Sequence, residues 1–403
     1  MVARLPSYAF AIVSATALFV AGGCAATGPK SAATASGADA PATAAASRSV
    51  AFSPATPDEL LRAMERAVLA ADIEGYLRLI DRTDPVFAKE QENWAADLAR
   101  KKPAEFLLVP SDEFDGDASG RRLASLTFRW RMPSASAGRQ VSFPATLRNT
   151  PVGWRYAGET WLVHEAERVR VMYIDEGASK LAERAAAVLA EVRPSVDEGF
   201  GLADDAAFTS RTQEIKLYSS MRHLQHSIYL SYTDGLGGWN EPGESIKILA
   251  RNSSRAGELR VLLAHEYGHC ATFELGPAAS GMPWWALEGV AEMSAEKYTR
   301  GWPRTDRTVR AWAASEGLVE WEKLADFHNG ATAYSHYVYT QGHHMTGWIS
   351  RKWDRPTLNR WLRAMAAGQS LDAATIGVLG VAFSELDTQW REELRGPAVS
   401  DAP

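Results

Sequence analysis

The chain has few cysteines: only Cys24 and Cys270 occur in 403 residues, so no network of disulfides can staple the fold. Clusters of lysine and arginine are also missing and the formal net charge is −6, which argues against nucleic acid as a partner. The apolar run at 9–21 is too short to span a bilayer, and no internal repeat is evident. What is present is 46% hydrophobic residues, enough for one large core or two cores of ordinary domain size.

The first 24 residues have the pattern of a targeting segment. Arg4 precedes the apolar run, and the small residues AGG stand directly before Cys24. This stretch resembles a bacterial lipoprotein signal, although Ala21 stands where such signals usually carry leucine. The resemblance implies lipidation of Cys24, attachment to a membrane through that lipid and, with Ala25 rather than aspartate next, the outer membrane of the cell envelope. A plain secretory signal that happens to contain a cysteine is the alternative.

Two folded domains are predicted after a flexible linker. Residues 25–54 are rich in Ala, Ser, Thr, Gly and Pro and cannot form a core. Between 55 and 165, two helical patterns precede alternating segments, which predicts a small α+β domain with an antiparallel sheet. This part loosely resembles the cystatin-like and nuclear-transport-factor-2-like folds. Residues 166–396 are predicted to be mainly helical with a small sheet, and their first long helical pattern covers 167–193.

The most informative stretch is LLAHEYGHCATFEL, a helical pattern that contains His265, Glu266 and His269. Histidines four residues apart lie on one face of a helix, so both imidazoles can bind one metal ion. Glu266 lies on the adjoining turn, where its carboxylate can reach a water at that metal without being a ligand. This is the HExxH arrangement of zinc metallopeptidases. Cys270, directly after His269, is predicted to be a buried structural thiol rather than a fourth ligand.

A third protein ligand is expected, because catalytic zinc usually binds three protein side chains and leaves one position for water. Glu288 is the candidate, and 18 residues separate it from His269. It lies in PWWALEGVAE, which is predicted to form a helix that begins near Pro283. Glu292 is four residues further on and shares the same helix face. One carboxylate can therefore bind the metal while the other accepts the remaining N–H of a ligating histidine.

HEYGH, the 18-residue gap and EGVAE together resemble the gluzincins, the group that includes thermolysin and the zinc aminopeptidases. The gap matches the aminopeptidase branch, and PWWALEGVAE is similar to its peptidase-MA-like bacterial relatives. The resemblance covers about 170–395 and implies one zinc ion per chain, with Glu266 as general base and Glu292 as the carboxylate behind a ligating histidine. The zinc ligands that it implies are His265, His269 and Glu288.

A tyrosine is expected to help stabilise the oxyanion that forms during peptide hydrolysis. The segment AYSHYVYTQGHH offers three, and YTQG followed by an apolar helix resembles the aminopeptidase segment that carries this tyrosine. The resemblance favours Tyr339, with Tyr334 next, while the remaining tyrosines are expected to pack in a helical core. Several histidines are predicted to be structural and are not needed as ligands: His164, His223, His226, His336, His343 and His344.

A glycine-rich segment precedes the HExxH helix. Zinc aminopeptidases carry a Gly-x-Met-Glu-Asn loop in this region, where the present chain has GGWNE at 237–241. Glu241 is the candidate for binding the α-amine of a substrate, but the order of Asn and Glu is reversed. Cleavage at the amino terminus of a peptide and cleavage within a peptide are therefore both compatible with the sequence. The strand predicted at 244–250 is expected to form a sheet edge that receives an extended peptide.

These patterns predict a secreted, lipid-anchored zinc metallopeptidase of the cell envelope that acts on peptides or proteins. The principal alternative is an envelope lipoprotein that binds metal but serves only as a scaffold or binding protein. A zinc hydrolase that acts on a bond other than a peptide bond is a third interpretation.

Overall fold

The computed structural model describes residues 53–111, 114–117, 120–250, 256–299, 301–327 and 331–396. The predicted signal segment with Cys24 and nearly all of the predicted linker lie outside these residues. The fold is α+β, as predicted: helices and an antiparallel sheet precede a mainly helical part with a second sheet. None of the described helices combines the length and the hydropathy that crossing a membrane requires.

Residues 53–159, here called the N-terminal unit, begin with three helices: α1 (Pro57–Ala70), α2 (Ile73–Leu77) and α3 (Pro85–Arg100). Helices α1 and α3 have proline at the first helical position, where no backbone N–H is needed. The side chains of Thr56 and Asp84 accept hydrogen bonds from backbone N–H groups of the first turn. These caps fix where both helices begin.

The helices of the N-terminal unit cover an antiparallel sheet. Its strands are β1 (Glu105–Pro110), β2 (Phe114–Asp117), β3 (Gly120–Arg131), β4 (Arg139–Thr150) and β5 (Gly153–Glu159). The order is β1-β3-β4-β5, and β2 pairs with β3. Side chains of β1 and β5 alternate between buried and more exposed positions, so one face of the sheet meets the helices.

Residues 162–396, here called the C-terminal unit, contain the second sheet. Its strands are β6 (Leu162–Ala166), β7 (Val169–Tyr173), β8 (Gln213–Tyr218), β9 (Gly238–Trp239) and β10 (Ile246–Leu249). The order is β6-β7-β8-β10-β9, with β7, β8 and β10 parallel and both outer strands antiparallel to their neighbours. All four residues of β10 are buried, as expected for a parallel strand covered on both faces.

Two predictions for this unit are wrong. The helix predicted over 167–193 begins only at Ser179, because Val169–Tyr173 forms β7 and pairs with strands on both sides. The strand predicted as a sheet edge at 244–250 lies inside the sheet, between β8 and β9. The edge is formed by Gly238–Trp239, which come from the glycine-rich segment.

The remaining helices of the C-terminal unit pack against this sheet and against one another. They are α4 (Ser179–Phe200), α5 (Ala206–Thr209), α6 (Met221–Ile228), α7 (Ala256–Phe273), α8 (Trp284–Ala295), α9 (Gly301–Ala314), α10 (Trp321–Leu324), α11 (Ser335–Trp353), α12 (Arg355–Ala366), α13 (Leu371–Leu379) and α14 (Phe383–Arg395). Helices α8 and α11 cross closely at two glycines: a Cβ added to Gly289 would lie 2.5 Å from the carbonyl carbon of Gly342. This crossing brings α11 beside the pair formed by α7 and α8.

A buried ionic cluster joins the two units. Glu90 of α3 bonds Lys216 of β8, and Asn93 donates to Glu244 over 2.7 Å. Lys247 of β10 lies 2.6 Å from Glu244. Burial raises the pKa of Glu90, but the charges of Lys216 and Lys247 outweigh it and hold that pKa below its ordinary value. Removing one member would leave an uncompensated buried charge, so the cluster ties the units tightly together.

Candidate metal centre

Two neighbouring helices supply the predicted metal ligands. His265 and His269 lie one turn apart on α7, and Glu288 faces them from α8. The helices approach closely because α7 has a glycine at the contact. A Cβ on Gly268 would lie only 2.6 Å from Oγ of Ser294 on α8.

Three buried side-chain atoms converge between these helices. Oε2 of Glu288 lies 3.2 Å from Nε2 of His265 and 3.3 Å from Nε2 of His269. All three side chains are fully buried, yet none of these atoms makes an aligned hydrogen bond within the described part of the chain. Leaving three polar atoms unsatisfied in a dry interior costs free energy. A bound cation is a partner that satisfies all three at once.

The spacing of these atoms fits zinc. Bonds of about 2.0–2.1 Å in a tetrahedral site separate two ligand atoms by roughly 3.3 Å. The two distances from Glu288, 3.2 and 3.3 Å, match that separation. Two imidazole nitrogens and a carboxylate oxygen are a donor set that catalytic zinc accepts, with a fourth position left for water. The donor atoms all lie within 4.8 Å of one another.

Two further side chains orient the ligands. Nε1 of Trp284 donates a hydrogen bond of 2.8 Å to Oε1 of Glu288, which leaves Oε2 directed at the histidines. On the opposite side of His265, Oε1 of Glu292 lies 3.1 Å from Nδ1. A carboxylate at this nitrogen fixes the tautomer and raises the basicity of the ring. The sequence pattern indicated Glu292 but not Trp284, although Trp284 precedes Glu288 by four residues and shares its helix face.

The electrostatics of the centre favour a positive charge between the carboxylates. Burial lowers the pKa of His265, but its contacts with Glu288 and Glu292 outweigh burial and raise that pKa to about 10. Burial raises the pKa of Glu288, and the neighbouring His269 and His265 lower it overall. Carboxylates kept ionised in a buried site attract a cation strongly, since little water screens them.

Glu266, the predicted general base, is fully buried on α7 and faces strand β9. A Cβ added to Gly238 would lie 2.3 Å from Oε1 of Glu266, far inside any permitted contact. Glycine at this position therefore lets the edge strand pass directly against the carboxylate. Any residue larger than glycine at position 238 would therefore displace the side chain of Glu266.

Tyr339 lies close to His265 and Trp284. Its buried ring is 6.0 Å from the ring of His265 and 6.3 Å from that of Trp284. Burial, followed by the charge of Glu288, raises the pKa of Tyr339 well above its ordinary value, so the phenol keeps its proton and can donate it in a hydrogen bond. Tyr337 instead packs against Trp312, with ring centroids 4.5 Å apart, and belongs to the helical packing.

The other candidate site residues lie outside the group of convergent ligand atoms or are hydrogen-bonded to other side chains. Glu241 is buried and accepts a short hydrogen bond from the hydroxyl of Tyr229. Burial, with the nearby charge of Glu244, raises the pKa of Glu241 well above its ordinary value, which makes it a poor partner for a substrate amine. Cys270 is a free thiol outside the convergent group, and His344 is bonded to Asp306 over 3.0 Å.

No protein-family model and no curated protein matches the chain. Among solved structures it is similar to the M1 zinc metallopeptidase from Deinococcus radiodurans, with 12% identity, a TM-score of 0.33, and coverage of 75% of this chain and 63% of that one. A point mutant of the same enzyme gives 13% identity, a TM-score of 0.35, and coverage of 75% and 67%. The chain thus spans about two thirds of the length of these structures. At this identity and TM-score the likeness does not establish membership of their family.

Proposed function

We propose that the protein is a zinc-dependent peptidase with His265, His269 and Glu288 as ligands and Glu266 as general base. The proposal rests on the convergence of three unsatisfied ligand atoms beside a buried carboxylate of the same helix. When bound there, zinc supplies Lewis acidity, which polarises a carbonyl group and makes water more acidic.

Glu266 accepts a proton from the attacking water and later delivers it to the nitrogen of the leaving amine. Two features of the fold support this role. Glu266 follows the proposed ligand His265 directly on α7, so the rigid helix backbone holds it close to the centre. Gly238 has no side chain that would displace the carboxylate of Glu266. Trp284 and Glu292 hold Glu288 and His265 in their orientations while the proton moves.

The substrate is proposed to be an extended peptide that pairs with β9. This strand forms one edge of the second sheet, and its residue Gly238 adjoins Glu266. The phenol of Tyr339 then donates to the oxyanion that develops on the scissile carbonyl. Because Glu241 is buried and engaged, an α-amine is not proposed as part of the recognition.

Attachment to the cell envelope through lipidated Cys24 is a separate proposal, supported by the sequence pattern around that residue. Expression of Cys24→Ser in a bacterial host tests it by fractionation. We expect the parent in the membrane fraction and the variant in the soluble fraction. Identical distribution of parent and variant would exclude an anchor at Cys24.

The peptidase proposal is tested with Glu266→Gln. The matched control is Glu258→Gln, the same chemical change at an exposed position in the first turn of α7. Both variants and the parent are assayed for zinc content and for cleavage of a mixture of internally quenched peptides. We expect full zinc content in all three, and a loss of at least about a hundredfold in cleavage for Glu266→Gln alone.

Equal cleavage by Glu266→Gln and the parent would contradict the assigned mechanism. A parent that binds zinc but cleaves no peptide would favour the binding-protein interpretation or a hydrolase of another bond. In the binding-protein case, capture of a partner should survive both Glu266→Gln and removal of the metal.

A further inference from the structure

Helix α6 and the loop after it, residues 221–236, lie between the N-terminal unit and the metal centre. Two buried indoles of the N-terminal unit bind this segment by its backbone. Nε1 of Trp94 donates to the carbonyl oxygen of His226 over 3.0 Å, and Nε1 of Trp130 donates to that of Leu230 over 2.9 Å. The segment belongs to the C-terminal unit in sequence but is held by the other unit.

Side chains of the segment pack against buried residues of the N-terminal unit. The ring of His223 stacks on Phe143 at 4.5 Å, and His226 contacts Phe128 at 4.5 Å. Leu230 is 1% exposed and belongs to the core of the N-terminal unit. The N-terminal unit thus holds the segment as it would hold a peptide ligand. Side chains of the segment are buried against its core, and backbone carbonyls of the segment accept hydrogen bonds from its indole N–H groups.

Carboxylate and guanidinium groups hold the remainder of the loop. Nε2 of His223 lies 3.4 Å from Glu159, the carboxylate partner that the sequence pattern did not reveal. Oγ of Ser231 donates to Asp97 over 2.7 Å, and Arg139 donates to the carbonyl oxygen of Tyr232 over 2.5 Å. These contacts come from the N-terminal unit and extend along the loop as far as Tyr232.

The opposite side of the segment supports β9. The rings of Tyr229 and Tyr232 pack on Trp239 at 5.8 and 5.4 Å. Trp239 is fully buried, and Gly238 before it lies directly against Glu266. A continuous series of contacts therefore runs from the N-terminal unit, through the segment, to the edge strand and the general base.

Where the segment packs on β9, two hydrogen-bond donors are without a partner among the described residues: Oη of Tyr232 and Nε1 of Trp239. Both residues are buried. Burial raises the pKa of Tyr232, and the charges of Asp234 and Glu288 add to the rise, so the phenol keeps its proton and can donate it in a hydrogen bond. Unsatisfied buried donors are costly, and a peptide carbonyl beside the centre would satisfy them.

We propose that the N-terminal unit is a structural part of the catalytic site: it seats residues 221–236 so that β9 meets Glu266 and the hydroxyl of Tyr232 donates to the substrate peptide. This inference rests on the proposed function and extends it to a substrate-positioning residue. It also assigns a role to the N-terminal unit, which is to fix one wall of the site.

The seating is tested with the double variant Trp94→Phe/Trp130→Phe, which removes both indole donors and keeps aromatic rings in place. The matched control is Trp361→Phe, a fully buried indole that donates over 3.0 Å to Thr375 between α12 and α13. Amide hydrogen exchange of the whole protein is followed by mass spectrometry. We expect peptides from 221–241 to exchange at least about tenfold faster in the double variant and at the parent rate in the control.

The same proteins are assayed for zinc content and for kcat/KM with the quenched peptides. We expect unchanged zinc content, since the ligands lie on α7 and α8, and a kcat/KM about a hundredfold lower in the double variant alone. Parent-like exchange together with parent-like kcat/KM would overturn the proposal and make the N-terminal unit an accessory domain.

The role of the hydroxyl is tested with Tyr232→Phe. Its control is Tyr298→Phe, whose hydroxyl is also buried without a hydrogen-bond partner in the described ranges but whose ring packs against Lys297. Affinity for a short peptide hydroxamate is measured by calorimetry on the zinc-loaded proteins. We expect binding about tenfold weaker for Tyr232→Phe only, at equal zinc content.

Equal hydroxamate affinity and equal kcat/KM for Tyr232→Phe and the parent would remove Tyr232 from substrate binding. A parent that neither cleaves peptides nor binds the hydroxamate would contradict the peptidase proposal instead. In that case the exchange comparison would still decide whether the N-terminal unit seats the segment.

Discussion

Gly238→Ala perturbs the contact that holds the general base, and its effect can be worked out from the structure. The new Cβ would lie 2.3 Å from Oε1 of Glu266, 2.7 Å from Cδ and 3.0 Å from Cγ. Ordinary contact begins near 3.4 Å, so the carboxylate must move by about 1 Å. A displacement of that size in a catalytic group costs about a hundredfold in rate, or about 2.7 kcal/mol of transition-state stabilisation.

We therefore expect Gly238→Ala to lower kcat/KM about a hundredfold while zinc content stays at the parent level. The displaced atoms belong to the end of a flexible side chain, so the free energy of unfolding should fall by no more than about 1–3 kcal/mol. Gly237→Ala is the control, because its Cβ would meet only Cδ1 of Leu262, at 3.6 Å. The assay compares peptide cleavage, zinc content and urea unfolding for the parent and both variants.

The reasoning is refuted if Gly238→Ala cleaves peptides at the parent rate, because Glu266 would then act from a position that the structure does not show. It is also refuted if Gly237→Ala loses as much activity, since a general disturbance of the loop would then explain both results.

Three further predictions concern other contacts. Trp284→Phe removes the hydrogen bond that orients Glu288 and should weaken zinc binding about 10–100-fold in a chelator competition; unchanged affinity would contradict that role. Tyr339→Phe should lower kcat about 100–1,000-fold with zinc retained, and parent-like turnover would exclude Tyr339 as the oxyanion donor. Burial lowers the pKa of His226 to about 3, so between pH 3 and about 6.5 only the unfolded chain protonates this residue, and stability falls as the pH drops. Between pH 7 and pH 5 the parent should therefore lose about 2 kcal/mol more than His226→Phe in urea unfolding, and equal losses would show that His226 is not the cause.

The local parts of the centre could be predicted from the sequence because helix periodicity fixes them. His265 and His269 share a face of α7 by their spacing, and Glu288 and Glu292 share a face of α8 in the same way. The α+β class followed from the change between helical and alternating patterns. The structure brings Glu288 to the histidines, as the resemblance to gluzincins implied.

Features that depend on pairing partners could not be predicted. The apolar residues of Val169–Tyr173 fit a helix as well as a strand, and only β6 and β8 on either side make this segment a strand. The sequence predicts a sheet edge at 244–250, because a sequence does not show which strand lacks a neighbour. In the structure that place belongs to Gly238–Trp239.

Contacts between distant parts of the chain could not be predicted from the sequence either. Nε1 of Trp130 donates to the carbonyl oxygen of Leu230 across 100 residues, and Glu159 of β5 lies beside His223 of α6. No periodic pattern links such positions. Trp284 is different, because its spacing of four residues from Glu288 on a predicted helix was a signal that could have been used.

The central claim, that His265, His269 and Glu288 bind one zinc ion, is tested most directly by measuring metal content. The parent is compared with His269→Ala and with His336→Ala, which changes an exposed histidine of α11. We expect about one zinc per chain in the parent and in His336→Ala, and none in a folded His269→Ala. A folded parent that binds no zinc when the ion is supplied, or a His269→Ala variant that keeps it, would contradict the account.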